Sequence, residues 1–314
     1  MIRNRKFSLT KKNGGVIPEI VDERIEFVPV GCGKCIECMK KKARGWQIRM
    51  HEELKDEPNR VMVTLTFSNE SLIELEKDIK IQSLNKDIDN TIATLAVRRF
   101  LERWRKKFKK SVKHWLVTEL GHNGTERLHL HGIIFTDKIN DIESMWKYGI
   151  VHCSTWVDEQ TVNYCVKYVN KIDDVHKGYT PIVLCSKGIG AGWFKRYNSK
   201  LNKYNGKDTD LTYKYNDGSK SYLPEYYRRK IYTDEQREHL WINMLDEEKR
   251  FVCGEEISVK YGEERYERLR EFYRQKNKLL GYGSDEKEWS KEEYDKQRAK
   301  LRALKKYRDS RLFE

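Results

Sequence analysis

The alternation of apolar and polar positions sets out the strands first. In Val61-Met62-Val63-Thr64-Leu65-Thr66-Phe67 the period is two. It predicts a strand with Val61, Val63, Leu65 and Phe67 on one face and Thr64 and Thr66 on a wet one. His114 to Leu120 and Arg127 to Phe135 are two more apolar, β-branched runs. Gly121-His122-Asn123-Gly124-Thr125-Glu126 between them reads as a hairpin loop. Thr94 to Lys110 changes to a helical period, with Ala96, Phe100, Leu101, Trp104 and Phe108 as the apolar stripe and Lys and Arg crowding the rest. Thr161 to Ile172 is helical again. Val162, Cys165, Val166, Val169 and Ile172 gather on one side, and Tyr164, Lys167, Tyr168 and Lys171 recur on the opposite side.

Weaker signals fill in the remainder. A short strand is expected around Ile25 to Val30, a basic helix over Lys40 to Lys55, and loop with short helical pieces over 68–92. Another short helix and strand follow at Ile142 to Trp146 and Gly149 to Cys153. Gly188, Gly190 and Gly192 mark a loop, and 198–222 reads as a polar hairpin or linker. From Thr233 the chain is helical and heavily charged, with a capping-box signature at Ser290-Lys291-Glu292-Glu293. This order predicts an α+β fold, a central antiparallel sheet with helices packed on it, plus a charged helical C-terminal extension. The expected division is 1–55, a cysteine-containing segment and basic helix; 56–197, the sheet domain; and 198–314, linker and charged helices.

Charge adds a partner class. The formal net charge is +14 and the pI about 9.2, a field that favours polyanions, nucleic acid first among them. Tyrosines and tryptophans among the basic residues offer stacking surfaces for unpaired bases. No apolar run is long enough to span a membrane and no signal-peptide core follows Met1, so a cytoplasmic protein is expected. Seven cysteines, an odd number, fit a reducing compartment.

Candidate chemistry sits on the predicted strands and helix. His129 and His131 are two apart, so they share a face of their strand. If the hairpin loop is symmetric about Gly124, Glu119 lies directly opposite His129. One carboxylate and two imidazoles suit Mg²⁺, Mn²⁺ or Zn²⁺ with positions left for substrate. An uneven loop would leave Glu126 as the alternative third ligand. Tyr164 and Tyr168, one turn apart, are candidate nucleophiles for a phosphodiester, with Lys167 and Lys171 to offset its charge. Cys32, Cys35 and Cys38 form a C-x2-C-x2-C run suited to Zn²⁺ if a fourth ligand closes it. His51, Cys153, Cys165, Cys185 and Cys253 are all open for that role, and an iron–sulfur cluster is the other occupant.

His129-Leu130-His131 resembles the His-hydrophobic-His motif of HUH endonucleases. Tyr164-Cys165-Val166-Lys167-Tyr168-Val169-Asn170-Lys171 resembles the paired-tyrosine motif of replication initiators of small single-stranded DNA phages. Val61 to Phe67 is similar to the strand that precedes the histidines in that family. Gly31 to Cys38, Lys187 to Phe194 and Leu223 to Tyr227 are similar to the microvirus branch, gokushovirus-like initiators in particular. The resemblance covers roughly 28–230. It implies an HUH, RRM/ferredoxin-like sheet and a rolling-circle initiator that nicks and rejoins single-stranded DNA through a 5′-phosphotyrosine. It also implies Mg²⁺ or Mn²⁺ at Glu119, His129 and His131, catalysis by Tyr164, Tyr168 and Lys167, and DNA contact by Lys171. The partners would be a single-stranded origin and the host helicase and polymerase, in the host bacterial cytoplasm. Where relatives carry a Glu-Tyr-Gly triplet, this chain has Glu119-Leu120-Gly121. Rival readings are a transposase or relaxase of the same superfamily, and a non-catalytic module with an RRM-like sheet.

Overall fold

A computed structural model describes residues 2–8, 10, 13–79, 88–121, 127–171 and 179–282. The chain divides into two compact units, Met1–Cys35 with Arg274–Glu314, and Ile36–Tyr273. In the first, β1 (Ile2–Arg3) pairs antiparallel with β2 (Phe27–Val28). The Asn4 side chain donates to the Ile25 carbonyl at 3.2 Å and steadies that small ladder.

The second unit opens on α1 (Ile36–Asp56), then β3 (Val61–Thr66), α2 (Asn69–Asp78) and α3 (Ile88–Phe108). Next come β4 (Lys113–Leu120), β5 (Leu128–Phe135), α4 (Ile139–Trp146), β6 (Val151–Ser154) and α5 (Glu159–Asn170). The strands, with β7 (Val183–Cys185), form one five-stranded sheet in the order β6-β3-β5-β4-β7, antiparallel throughout. The α+β prediction therefore holds. Among the described residues no helix is long and apolar enough to cross a membrane. The edge strand β7 has no counterpart in the expectations above. Its short Val183-Leu184-Cys185 run is too brief for an alternation to show.

Period two gives the sheet its two faces. Val61, Val63 and Leu65 of β3 join Leu116, Leu130 and Ile134 under α3 and α4. On the opposite face Trp115, Val117 and Ile133 are covered by α1 and α5, through Ala43, Met50, Leu54, Val162, Cys165 and Val169. A third apolar cluster lies beyond α1, where Ile48 meets Trp193, Tyr213, Leu223 and Tyr227. It is built from α6 (Tyr197–Lys200), β8 (Thr212–Lys214), β9 (Lys220–Tyr222), α7 (Glu225–Ile231), α8 (Asp234–Asp246) and their connections. The stretch read as a polar linker thus contains a paired hairpin and a buried tyrosine, Tyr213. Tyrosine rings supply the apolar area that an aliphatic count overlooks. After α8 come β10 (Lys249–Val252), β11 (Glu255–Ser258) and α9 (Glu264–Leu279), and the boundary between the units falls inside α9. The Ser290 capping box lies outside the described residues.

Two buried acids fasten α1 to its surroundings. Glu53 accepts from Lys113 Nζ at 2.5 Å and from the Gly190 amide at 2.5 Å. Glu52 accepts from Lys55, Arg196 and the Tyr213 hydroxyl. Burial would raise the Glu52 carboxyl, but those donors outweigh it and hold it below the usual range. The two glutamates thereby stay charged and paired inside the fold, where an unpartnered charge would be costly.

The closest backbone approach is at Gly132, paired with Leu116. A Cβ there would meet the Trp115 carbonyl oxygen at 2.0 Å and Leu116 Cα at 2.8 Å, both backbone atoms that only strand separation could move. Gly132→Ala is expected to cost about 2 kcal/mol or more, the scale of overpacking. The loss would be read as a lower midpoint in urea unfolding.

Candidate metal and tyrosine site

The hairpin β4–β5 pairs Glu119 with His129, and Val117 with His131. On the other side of β5, β3 pairs Thr64 with His131 and Thr66 with His129. All six positions share one face, because directly opposed residues in an antiparallel pair point the same way. The histidines thus stand on the central strand of the sheet, on the face that α5 partly covers. Glu126, the alternative third ligand, lies outside the described residues.

α5 is held at its start by a capping box, with the Asp158 carboxylate accepting from the Thr161 amide at 2.8 Å. It runs to Asn170, and Lys171 is its extended C-cap rather than a further helical residue. From that cap the Lys171 ammonium turns onto Glu119 Oε1, while His131 Nε2 contacts Glu119 Oε2 at 2.8 Å. Burial would raise the Glu119 carboxyl, but the hydrogen bonds from His131 and Lys171 hold it below the usual carboxylate range. Burial, together with the neighbouring His131, lowers the pKa of His129 and favours its neutral form. A neutral imidazole is the form that binds a metal.

Each histidine has its Nδ1 engaged elsewhere. His131 Nδ1 lies 3.2 Å from Thr64 Oγ1, and His129 Nδ1 lies 2.6 Å from the Arg127 carbonyl. That leaves Nε2 of each ring for a ligand, the usual arrangement when a second partner fixes ring and tautomer. The Thr64 contact was not among the expectations above. The alternation of β3 does place Thr64 on the wet face, but its partner depends on the β3–β5 register.

The tyrosines meet this cluster from above. Tyr168 lies flat on His131, with centroids 4.5 Å apart and planes 5° apart. Tyr164 stands edge-on to both, 6.4 Å from His131 and 5.4 Å from Tyr168. The Tyr168 hydroxyl donates to that of Tyr164 at 2.7 Å. Lys167 Nζ sits 3.9 Å over the Tyr164 ring, and Lys171 Nζ 5.5 Å from that of Tyr168. Tyr168 departs from the expected solvent-facing side of the helix and is buried. Its phenol is pushed upward by burial first and by its bond to Tyr164 second.

The structure therefore gathers Glu119, His131, Tyr164, Lys167, Tyr168 and Lys171, with His129 beside them; its ring centroid is 6.3 Å from that of His131. Glu119, His129 and His131 are less closely drawn together than the cysteines. Both Glu119 oxygens already have partners, and His129 turns one nitrogen to a backbone carbonyl. Among the described residues, only Cys32, Cys35 and Cys38 form a set of three with ligand atoms all within 4.8 Å. Cys32 Sγ also accepts from the Lys34 and Cys35 amides at 3.4 and 3.2 Å, around a turn where Gly33 has φ 80°. Cys165, one of the open fourth ligands, is in the core beneath α5, and burial pushes its thiol up to about 12.

A model of the replication-associated protein ORF2 family matches residues 60–173, the stretch from β3 past α5 that holds every residue of the cluster. The replication-associated protein VP4 of Bdellovibrio phage phiMH2K is 24% identical over 196 residues. That alignment takes in 54% of this chain and 58% of the relative, so the chain spans little more than half of that protein. The catalytic domain of the adeno-associated virus type 5 Rep protein is 16% identical, over 60% of this chain and 97% of that one. Its TM-score is 0.20, too low to bear on the fold. The resemblance to phage replication proteins read from the motifs is met by the family model and the phage relative alike.

The electrostatics of the cluster give a direct check. Lys171→Met removes one of the two donors that hold the Glu119 carboxyl down, and its pKa is expected to rise. A carboxyl-carbon NMR titration of the two proteins would measure it, and an unchanged value would mean that Lys171 does not rest on Glu119 in solution.

Proposed function

We propose that this chain is a rolling-circle replication initiator, a DNA strand transferase that nicks and rejoins a single-stranded origin. The observation that carries the reading is the meeting of two tyrosine hydroxyls with the His131–Glu119 pair on the sheet face. The match of residues 60–173 to a replication-associated family supports it. The nicking domain would be 56–197, flanked by the cysteine-containing segment and the charged C-terminal region.

Glu119, His129 and His131 would hold Mg²⁺ or Mn²⁺. A carboxylate and two neutral imidazoles with Nε2 available suit such an ion. When bound, it would polarise the scissile phosphate. The chain's own residues do the rest. A tyrosine hydroxyl attacks phosphorus and the 5′ end stays on the protein as a phosphotyrosine. Lys167 and Lys171 offset the charge of the phosphate, and Lys171 is then drawn off Glu119. The released 3′ hydroxyl primes synthesis by host polymerase and helicase in the host cytoplasm. The +14 net charge favours the single strand as partner. A Zn²⁺ at Cys32, Cys35 and Cys38 would be structural.

The test uses tiled single-stranded oligonucleotides from the replicon encoding the chain, incubated with Mn²⁺. A protein–DNA adduct that survives denaturant is expected, absent with EDTA and absent from the Tyr164→Phe, Tyr168→Phe double variant. Persistence of the adduct in that variant would remove the tyrosine assignment, and no adduct with any oligonucleotide would favour a non-catalytic binding module. Thr64→Val is expected to weaken Mn²⁺ binding about 10- to 100-fold, the usual scale for an outer-shell partner. Electron paramagnetic resonance of free Mn²⁺ would read the change at constant thermal stability.

A further inference from the structure

We infer that the two tyrosines are not interchangeable: Tyr164 makes the first cut, and Tyr168 positions it and serves as the second nucleophile. This rests on the nicking reading above. The asymmetry begins in the helix itself. At 3.6 residues per turn, the buried residues Val162, Cys165, Val166 and Val169 define one direction around α5. Tyr164 then lies roughly 150° from that direction and Tyr168 roughly 110°. The first points outward, and the second leans toward the sheet.

The side chains follow that difference. Tyr164 is 40% exposed and Tyr168 only 6%. Tyr168 has one ring face covered by His131, and its hydroxyl hydrogen-bonded to Tyr164 Oη. An incoming phosphate must reach the attacking oxygen in line with its leaving group. Tyr164 Oη is on the open side, with the Lys167 ammonium beside its ring to meet the anion. Tyr168 cannot present its oxygen to a phosphate without leaving both His131 and Tyr164. It can, however, hold Tyr164 Oη in place, since its hydroxyl reaches that oxygen at 2.7 Å.

In the first step a bond forms between Tyr164 Oη and phosphorus, and the bond from phosphorus to the 3′ oxygen breaks. The phenolic proton ends on the released 3′ oxygen, so the strand gains a 3′ hydroxyl and Tyr164 keeps the 5′ phosphate. Tyr168 is then the unreacted phenol of the pair. It attacks the second origin copy by the same exchange of bonds, and the 3′ hydroxyl so released closes the circle on Tyr164.

Peptide mapping by mass spectrometry after a single turnover of the wild-type protein tests this, with Mn²⁺ and a one-site oligonucleotide. The nucleotide adduct is expected on the peptide at Tyr164. In parallel, Tyr164→Phe should lower the first-cut rate at least about 100-fold. Tyr168→Phe should slow it about tenfold, the scale of one lost hydrogen bond, and should abolish strand transfer on a two-site oligonucleotide. An adduct on Tyr168, or one divided evenly between the two, would overturn the order. So would a Tyr164→Phe variant that cuts faster than Tyr168→Phe. DNA attached to neither tyrosine would overturn the nicking reading itself, a different and distinguishable failure.

Discussion

The antiparallel pairing of β4 with β5 is the constraint on which the site depends. Because side chains alternate at a period of two, a one-residue slip would send Glu119 to one face and His129 to the other. The native register, Glu119 against His129 and Leu116 against Gly132, is protected at both ends. At Gly132 the Trp115 carbonyl comes so close that no side chain fits. Beyond it, Trp115 and Ile133 bury under α1 and α5, and Leu116 and Ile134 under α3 and α4. The hydrophobic effect on both faces therefore fixes the placement of the polar groups.

The cluster also carries its own charge balance. Glu119 is held ionised by two donors, and one of them, Lys171, comes from the cap of the helix that bears the tyrosines. A cation at a helix C-terminus is favoured by the helix dipole as well as by the carboxylate. The sheet and α5 are thus tied at the point where the chemistry is proposed. A phosphate and a divalent ion would compete for the same two groups, the ion for Glu119 and the phosphate for Lys171.

Away from the site, α1 links two cores. One side packs Ala43, Met50 and Leu54 against the sheet, and Ile48 joins the aromatic cluster with Trp193 and Tyr227. Between them Glu52 and Glu53 satisfy a backbone amide, two lysines, an arginine and a tyrosine. Such a network is costly to half-satisfy. Its full pairing explains how a chain with 36% charged residues buries acids without loss.

Much of this was legible in the sequence because it is local. Period two in Val61 to Phe67 and the spacing of His129 and His131 need only the chain's own geometry. The roughly symmetric loop between Leu120 and Leu128 was enough to set Glu119 opposite His129. The amphipathic pattern of α5 placed its core residues as well. Tertiary packing alone decided the burial of Tyr168, which no helical wheel gives, because a second surface, His131, covers the helix flank. It also decided the Thr64 partner of His131, the turn of Lys171 onto Glu119 and the addition of β7 to the sheet. Each of these joins residues far apart along the chain. Periodicity fixes which way a side chain points, whereas what it meets is settled only when separate elements pack.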